Sequence, residues 1–180
     1  GLINLKRYVM PKSTAASLDF CAVMAQAARA LRPFSKELPG LADTCMKAAM
    51  KAWTWAKLNP KVYYDQYEIN NKFKPIVYTG TYADGMLFDE FEWAATELLI
   101  STGNELFLND IHIADVNYKL PNWSNVQTLG LLSLVRYRNF VAKQIDTNII
   151  KKKFLELVDP ALQYDLSSPF HISMGHDKTD

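Results

Sequence analysis

Cysteine, net charge and long apolar runs are all scarce in this sequence. Cys21 and Cys45 are its two cysteines among 180 residues, too few for a disulfide framework. Both fall on apolar helical stripes and read as buried thiols, with a bridge between neighbouring helices as the alternative. The formal net charge is +1, so no general field draws the chain toward nucleic acid or an anionic membrane. No apolar run reaches the roughly 18–20 residues of a membrane span. The stretch from Gly1 to Pro11 lacks the charged-then-apolar order of a signal peptide, which says little if the sequence starts in mid-protein. Gly-x-Ser-x-Gly, Walker and dinucleotide motifs are missing. His112, His171 and His176 are scattered, without His-Glu-x-x-His or Cys-x-x-Cys. They read as structural or solvent histidines, and no metal or cofactor is expected.

What is present describes a packed helical chain. Hydrophobic residues make up 49% and charged residues 22%, which supports a core and excludes global disorder. Ser13-Thr14 offers an N-cap to a helix over 15–31, with Leu18, Cys21, Ala22, Ala25, Ala28 and Leu31 on one face. Arg32-Pro33 stops it. A second helix runs from about Lys36 to Leu58, its start delayed by Pro39-Gly40. Its stripe is Leu41, Cys45, Ala48, Ala49, Ala52 and Ala56, flanked by Trp53 and Trp55, and Asn59-Pro60 ends it. The short connection makes the two helices antiparallel neighbours.

Residues 60–85 lose the helical period and read as a long functional loop. A third helix covers about Leu87 to Thr102, with Phe88, Phe91, Ala95 and Leu98 as its core stripe and Gly103 as its stop. A short turn near 105–110, a loop over 111–123, and helices over 125–143 and 147–163 complete the pattern. Ile150, Phe154, Leu157 and Val158 carry the last apolar face. Lys151-Lys152-Lys153 reads as a solvated face. Almost no strand alternation occurs, so the class is all-α.

Two groups of residues could carry chemistry. Asp84, Asp89, Glu90 and Glu92 cluster at a loop-to-helix junction. Glycoside hydrolysis needs two carboxyl groups, whereas the plainer reading is a helix start that compensates the dipole while Asp84 braces the loop. Tyr78, Tyr82, Trp93 and Trp123 lie at or near helix ends, where an exposed ring can stack on a sugar face. For Trp93, one turn inside a helix, core packing is the simpler reading. Tyr82 and Trp123 are expected at one rim of the helix array.

Several strings together resemble one family. Ser13 to Phe20 running into Ala22 to Arg29, and Ala48 to Pro60 with its Ala-Trp-x-Trp-Ala rhythm, are similar to the central region of family 9 glycoside hydrolases. So are Thr79-Gly80-Thr81-Tyr82-Ala83-Asp84, Asp89-Glu90-Phe91-Glu92-Trp93-Ala94-Ala95, Thr96-Glu97-Leu98, Thr102-Gly103-Asn104 and Ser168-Pro169-Phe170. The resemblance runs from about residue 11 onward. It implies part of an (α/α)6 barrel of paired inner and outer helices, about half of them here. Residues 1–180 then form a single unit from the middle of a catalytic domain.

The parent enzyme would be an inverting hydrolase of β-1,4-glucan such as cellulose, secreted or periplasmic. The family's base sits in an Asp-x-Gly-Asp motif and its acid is a late Glu. The sequence holds neither, so no catalytic residue is expected in this chain and the piece alone is expected to be inactive. The matching positions, Tyr82, Asp84, Asp89, Glu90, Trp93 and Trp123, would line the cleft. One departure is Trp123-Ser124-Asn125-Val126, where many endoglucanases have Trp-Asp-Asp-Lys. The expected partner is a β-glucan oligosaccharide or polysaccharide. Two rival readings stand beside this one. The first is a non-enzymatic helical-hairpin interaction domain. The second is a complete small hydrolase using Asp84 with Asp89 or Glu90. An open half-barrel would also leave the stripes of residues 18–31 and 88–98 uncovered and prone to self-association.

Overall fold

A computed structural model describes residues 9–78, 83–122 and 124–171. Helix α1 spans Thr14–Leu31. Ser13 caps it, its hydroxyl accepting the Ala16 N–H at 3.3 Å. Leu18, Cys21, Ala22, Ala25 and Ala28 are fully buried. After a 3-10 turn at Arg32–Phe34, helix α2 runs over Leu41–Leu58. It starts about five residues later than expected because Gly40 takes a left-handed φ of 74°, which breaks the helical path just before it. Small alanines let α1 and α2 pack closely as an antiparallel pair. The start of α1 is pinned to the end of α2: the Thr14 hydroxyl donates to Asn59 O at 2.6 Å, and its N–H donates to Val62 O at 2.8 Å.

The stretch over 60–85, expected to be all loop, contains helix α3 at Gln66–Lys72. Asp65 caps it by accepting the Glu68 N–H at 2.9 Å, and Lys72 pairs with Glu68 one turn apart. Seven residues are too few to display a helical period, so local capping rather than apolar spacing makes this element.

Helix α4, Phe88–Thr102, lies between α1 and α5. A single apolar stripe does not describe it. Phe88 is exposed, whereas Asp89, Glu90, Glu92 and every residue from Trp93 to Leu99 are buried. Gly103, at φ 69°, closes it as expected. A 3-10 segment follows at Glu105–Asp110. Phe107 from this segment and Phe91 meet the Trp53 ring edge-on, at 5.5 and 5.9 Å. Trp53 is therefore part of the core and not a flanking residue.

The helix expected over 125–143 is two: α5, Gln127–Arg136, and α6, Arg138–Val141. The break falls at Tyr137, whose ring lies 4.9 Å from the Arg29 guanidinium and meets Phe140 edge-on. Helix α7 spans Thr147–Ser167, four residues beyond the expected end and through Pro160. Of its apolar face only Ile150 is fully covered; Phe154, Leu157 and Val158 are half-buried. Within the lysine run, Lys151 and Lys152 are exposed, and Lys153 donates to Val116 O at 2.8 Å.

Cross-helix contacts fix the layout. Val126 at the start of α5 donates its N–H to Asp89 at 2.9 Å, and one turn later Gly130 lies against the Trp93 backbone. Another turn on, Ser133 donates to Glu97 at 2.5 Å. Gln26 and Arg29 of α1 reach the same Glu97. Helices α1, α4 and α5 are thus parallel neighbours with their first turns at one rim. Apart from the exposed Phe88 and the half-buried Leu31 and Phe91, the stripes of residues 18–31 and 88–98 are covered by this packing, contrary to the expectation of open faces. Cys21 and Cys45 are free buried thiols, and burial pushes the Cys21 thiol up to about 12. No described helix is long and apolar enough to cross a membrane.

Candidate functional site

The shared rim of α1 and α4 holds a cleft of about 370 Å³, lined by Asp19, Tyr63, Tyr64, Asp84, Leu87 and Glu90 among others. Each lining group is placed by a local feature. Asp19 projects from the second turn of α1. Tyr63 and Tyr64 follow the Val62 backbone that Thr14 pins to the helix start. Asp84 accepts the Met86 N–H at 2.9 Å, which turns the chain into α4.

Four carboxyl groups converge here: Asp19, Asp84, Asp89 and Glu90. Asp89 is buried behind the cleft, one oxygen accepting the Val126 N–H and the other without a partner among the described residues. Glu90 is only 3% exposed, and its Oε2 has no such partner either. Burial, then the adjacent Asp89, push Glu90 up to about 9, so it keeps its proton at neutral pH. Burial, then Asp89 and Asp84, raise Asp19 to about 6. Its Oδ1 is also buried without a partner. Unpaired buried oxygens on adjacent acids are costly for the fold alone, and they mark this rim as a place to receive donors.

The expected site residues divide. Asp84, Asp89 and Glu90 come together, Asp84 and Glu90 in the lining and Asp89 behind it. Trp93 does not join them: it is 7% exposed, faces the core, and its indole N–H donates to Glu97 at 3.1 Å. Glu92 is no solvated dipole partner but a buried acceptor for the Tyr118 hydroxyl at 2.5 Å and the Gln127 amide at 3.0 Å. Tyr82 and Trp123 lie outside the described residues. Asp19, Tyr63 and Tyr64 were not among the expected site residues. The signal for Asp19 was available: an acid in an alanine-rich helix whose i+3 and i+4 neighbours, Ala22 and Val23, offer no countercharge. Among the described residues no three His, Cys, Asp or Glu side chains are arranged to hold a metal ion.

The model of glycosyl hydrolase family 9 matches residues 3–170. The chain belongs to that family. It is 36% identical over 179 residues to the xyloglucan-specific endo-beta-1,4-glucanase BoGH9A of Bacteroides ovatus, covering 97% of this chain and 30% of that protein. It is 36% identical over 133 residues to endoglucanase C of Cellulomonas fimi, covering 71% of this chain and 11% of that one. Among solved structures, a Bacteroides ovatus GH9 protein superposes with a TM-score of 0.81 at 34% identity, over 97% of this chain and 33% of its own. AaCel9A, in complex with cellobiose-like isofagomine, superposes at 0.73 and 31%, over 92% and 30%. The chain therefore spans about a third or less of the relatives it matches. Its fold is all-α, part of the (α/α)6 barrel of family 9.

Proposed function

We propose that this chain contributes one wall of the glycan cleft in an inverting glycoside hydrolase that cleaves β-1,4-glucan, cellulose or xyloglucan. The carrying observation is the rim where Asp19, Asp84 and Glu90 face Tyr63 and Tyr64, in a chain that belongs to family 9. Acids and phenols at one concave surface suit a ligand rich in hydroxyls, and an aromatic ring suits the apolar face of a sugar. The similarity to a xyloglucan-specific endo-β-1,4-glucanase supports this substrate class. Asp84, Asp89 and Glu90 bind or organise the cleft, and the acid and base of the reaction lie on other parts of the parent enzyme. A polymeric glycan does not enter the cytoplasm, so the working protein is secreted or periplasmic. Family membership weighs against the interaction-domain reading.

The test compares two preparations on cello- and xyloglucan oligosaccharides. The natural full-length protein should hydrolyse them with inversion at the anomeric carbon, followed by NMR, and residues 1–180 alone should not. Turnover by residues 1–180 that disappears in Asp84→Asn would refute the division of labour. The exposed apolar side chains of α1, Phe20 and Val23, also lead us to expect residues 1–180 alone to self-associate. A monomer by light scattering would reject that.

A further inference from the structure

The geometry points to Tyr63 and Asp19 as a saccharide subsite, with Tyr63 as the stacking platform and Asp19 as a hydroxyl-binding, specificity-determining group. This rests on the glycan-cleft reading above. Both residues line the cleft of about 370 Å³, within the roughly 300–1,000 Å³ of small-molecule sites. Tyr63 is 48% exposed, although it sits directly after the pinned Val62 backbone. A large ring held open on a fixed backbone, beside acids, is available to a ligand at little ordering cost.

The polar side of the subsite is equally unfinished. Asp19 Oδ1 is buried and accepts nothing among the described residues. Glu90, which lines the same cleft, has a second buried oxygen without a partner among the described residues. Among the described residues no lysine or arginine lines the cleft, and its acids make anions such as phosphate poor occupants. A neutral polyol can donate a hydroxyl to Asp19 and exchange a hydrogen bond with the protonated Glu90 while its ring face covers Tyr63. Of the two described tyrosines at the cleft, Tyr64 is half-buried with its hydroxyl donating to Gln66, whereas the Tyr63 ring stands exposed.

The test uses the natural full-length protein, with kcat and KM measured on a series of β-1,4-gluco-oligosaccharides of increasing length. Tyr63→Ala should raise KM roughly tenfold for oligosaccharides long enough to reach the subsite, with kcat unchanged and no change for shorter ones. Tyr63→Phe should stay within about twofold of wild type. Asp19→Ala should also raise KM several-fold, whereas Asp19→Asn, which keeps an acceptor, should recover most of it. Melting temperatures are recorded alongside. Unchanged KM across all lengths in Tyr63→Ala and Asp19→Ala, in an enzyme that does hydrolyse the series, overturns the subsite and leaves the glycan reading intact. A lowered melting temperature in Asp19→Ala with unchanged KM assigns Asp19 to the fold and overturns its role. Failure of the unaltered protein to bind or cleave any member of the series removes the glycan reading, and the subsite with it.

Discussion

Helices α4 and α7 contain comparable fractions of apolar residues, yet they occupy opposite situations. Ten of the fifteen residues of α4 are buried, including Asp89, Glu90, Glu92 and Glu97. In α7 one residue of twenty-one, Ile150, is buried. The centre of this fold is thus marked by buried acids, of which Glu92 and Glu97 are held by partners from other segments, and its edge by a longer helix with a conventional apolar face. An amphipathic pattern reports which side of a helix is drier; it does not report whether the wetter side also meets protein.

The sharpest way to break this contrast is to remove a central acid. Glu97 is fully buried and serves Arg29, Gln26, Trp93 and Ser133 together. Glu97→Ala should cost about 3–5 kcal/mol, since the Arg29 charge loses its buried partner. Urea unfolding measures this, and a loss below about 1 kcal/mol would show the centre is held by apolar packing alone. At the edge, Ile150→Ala should cost about 2–4 kcal/mol because it is the one fully covered anchor of α7. Limited proteolysis should then cut within α7 before any other helix.

A further test titrates the centre. Glu90 and Asp19 bind their protons more tightly folded than unfolded, with values raised from 4.5 to about 9 and from 3.8 to about 6. The folded state therefore holds more protons across this window, and stability contributed by these groups falls as pH rises through it. The melting temperature should drop by several degrees between about pH 5 and pH 9, and Glu90→Gln should flatten the slope. A profile equally steep in the variant would place the effect elsewhere. The smallest effect belongs to the edge: Leu162, 55% exposed on α7, should tolerate Leu162→Ser within about 0.5 kcal/mol. A larger loss, read by the same urea titration, would reveal cover on that face.

Much of this arrangement was legible along the chain. Ser13, Gly40, Asn59 and Gly103 end or begin helices where their side-chain and backbone chemistry requires, and the alanine stripe of α1 is the buried face. Asp84, Asp89, Glu90 and Glu92 stood out as a group, although Glu92 turns to Tyr118 and Gln127 instead of the cleft. The remainder depends on contacts between distant segments. Burial of Glu92 and Glu97 follows from Tyr118, Gln127 and Ser133, none of which is near in sequence. Trp93 lies in the core because Gly130 lets α5 approach its backbone. Asp19 belongs to the cleft only because α1 and α4 begin at the same rim, which neither helix encodes by itself.

The parallel run of α1, α4 and α5 also bears on how the chain reaches its native state. Helices joined by short turns meet early, and all-helical domains usually fold fast for that reason. Here the central contacts, Gln26 to Glu97 among them, join residues 71 positions apart. The α1–α2 and α4–α5 pairs can form first, but Glu97 gains Gln26 and Arg29 only after that long separation closes. Assembly should therefore be slow for a helical protein, with Glu97→Ala accelerating unfolding far more than it retards refolding.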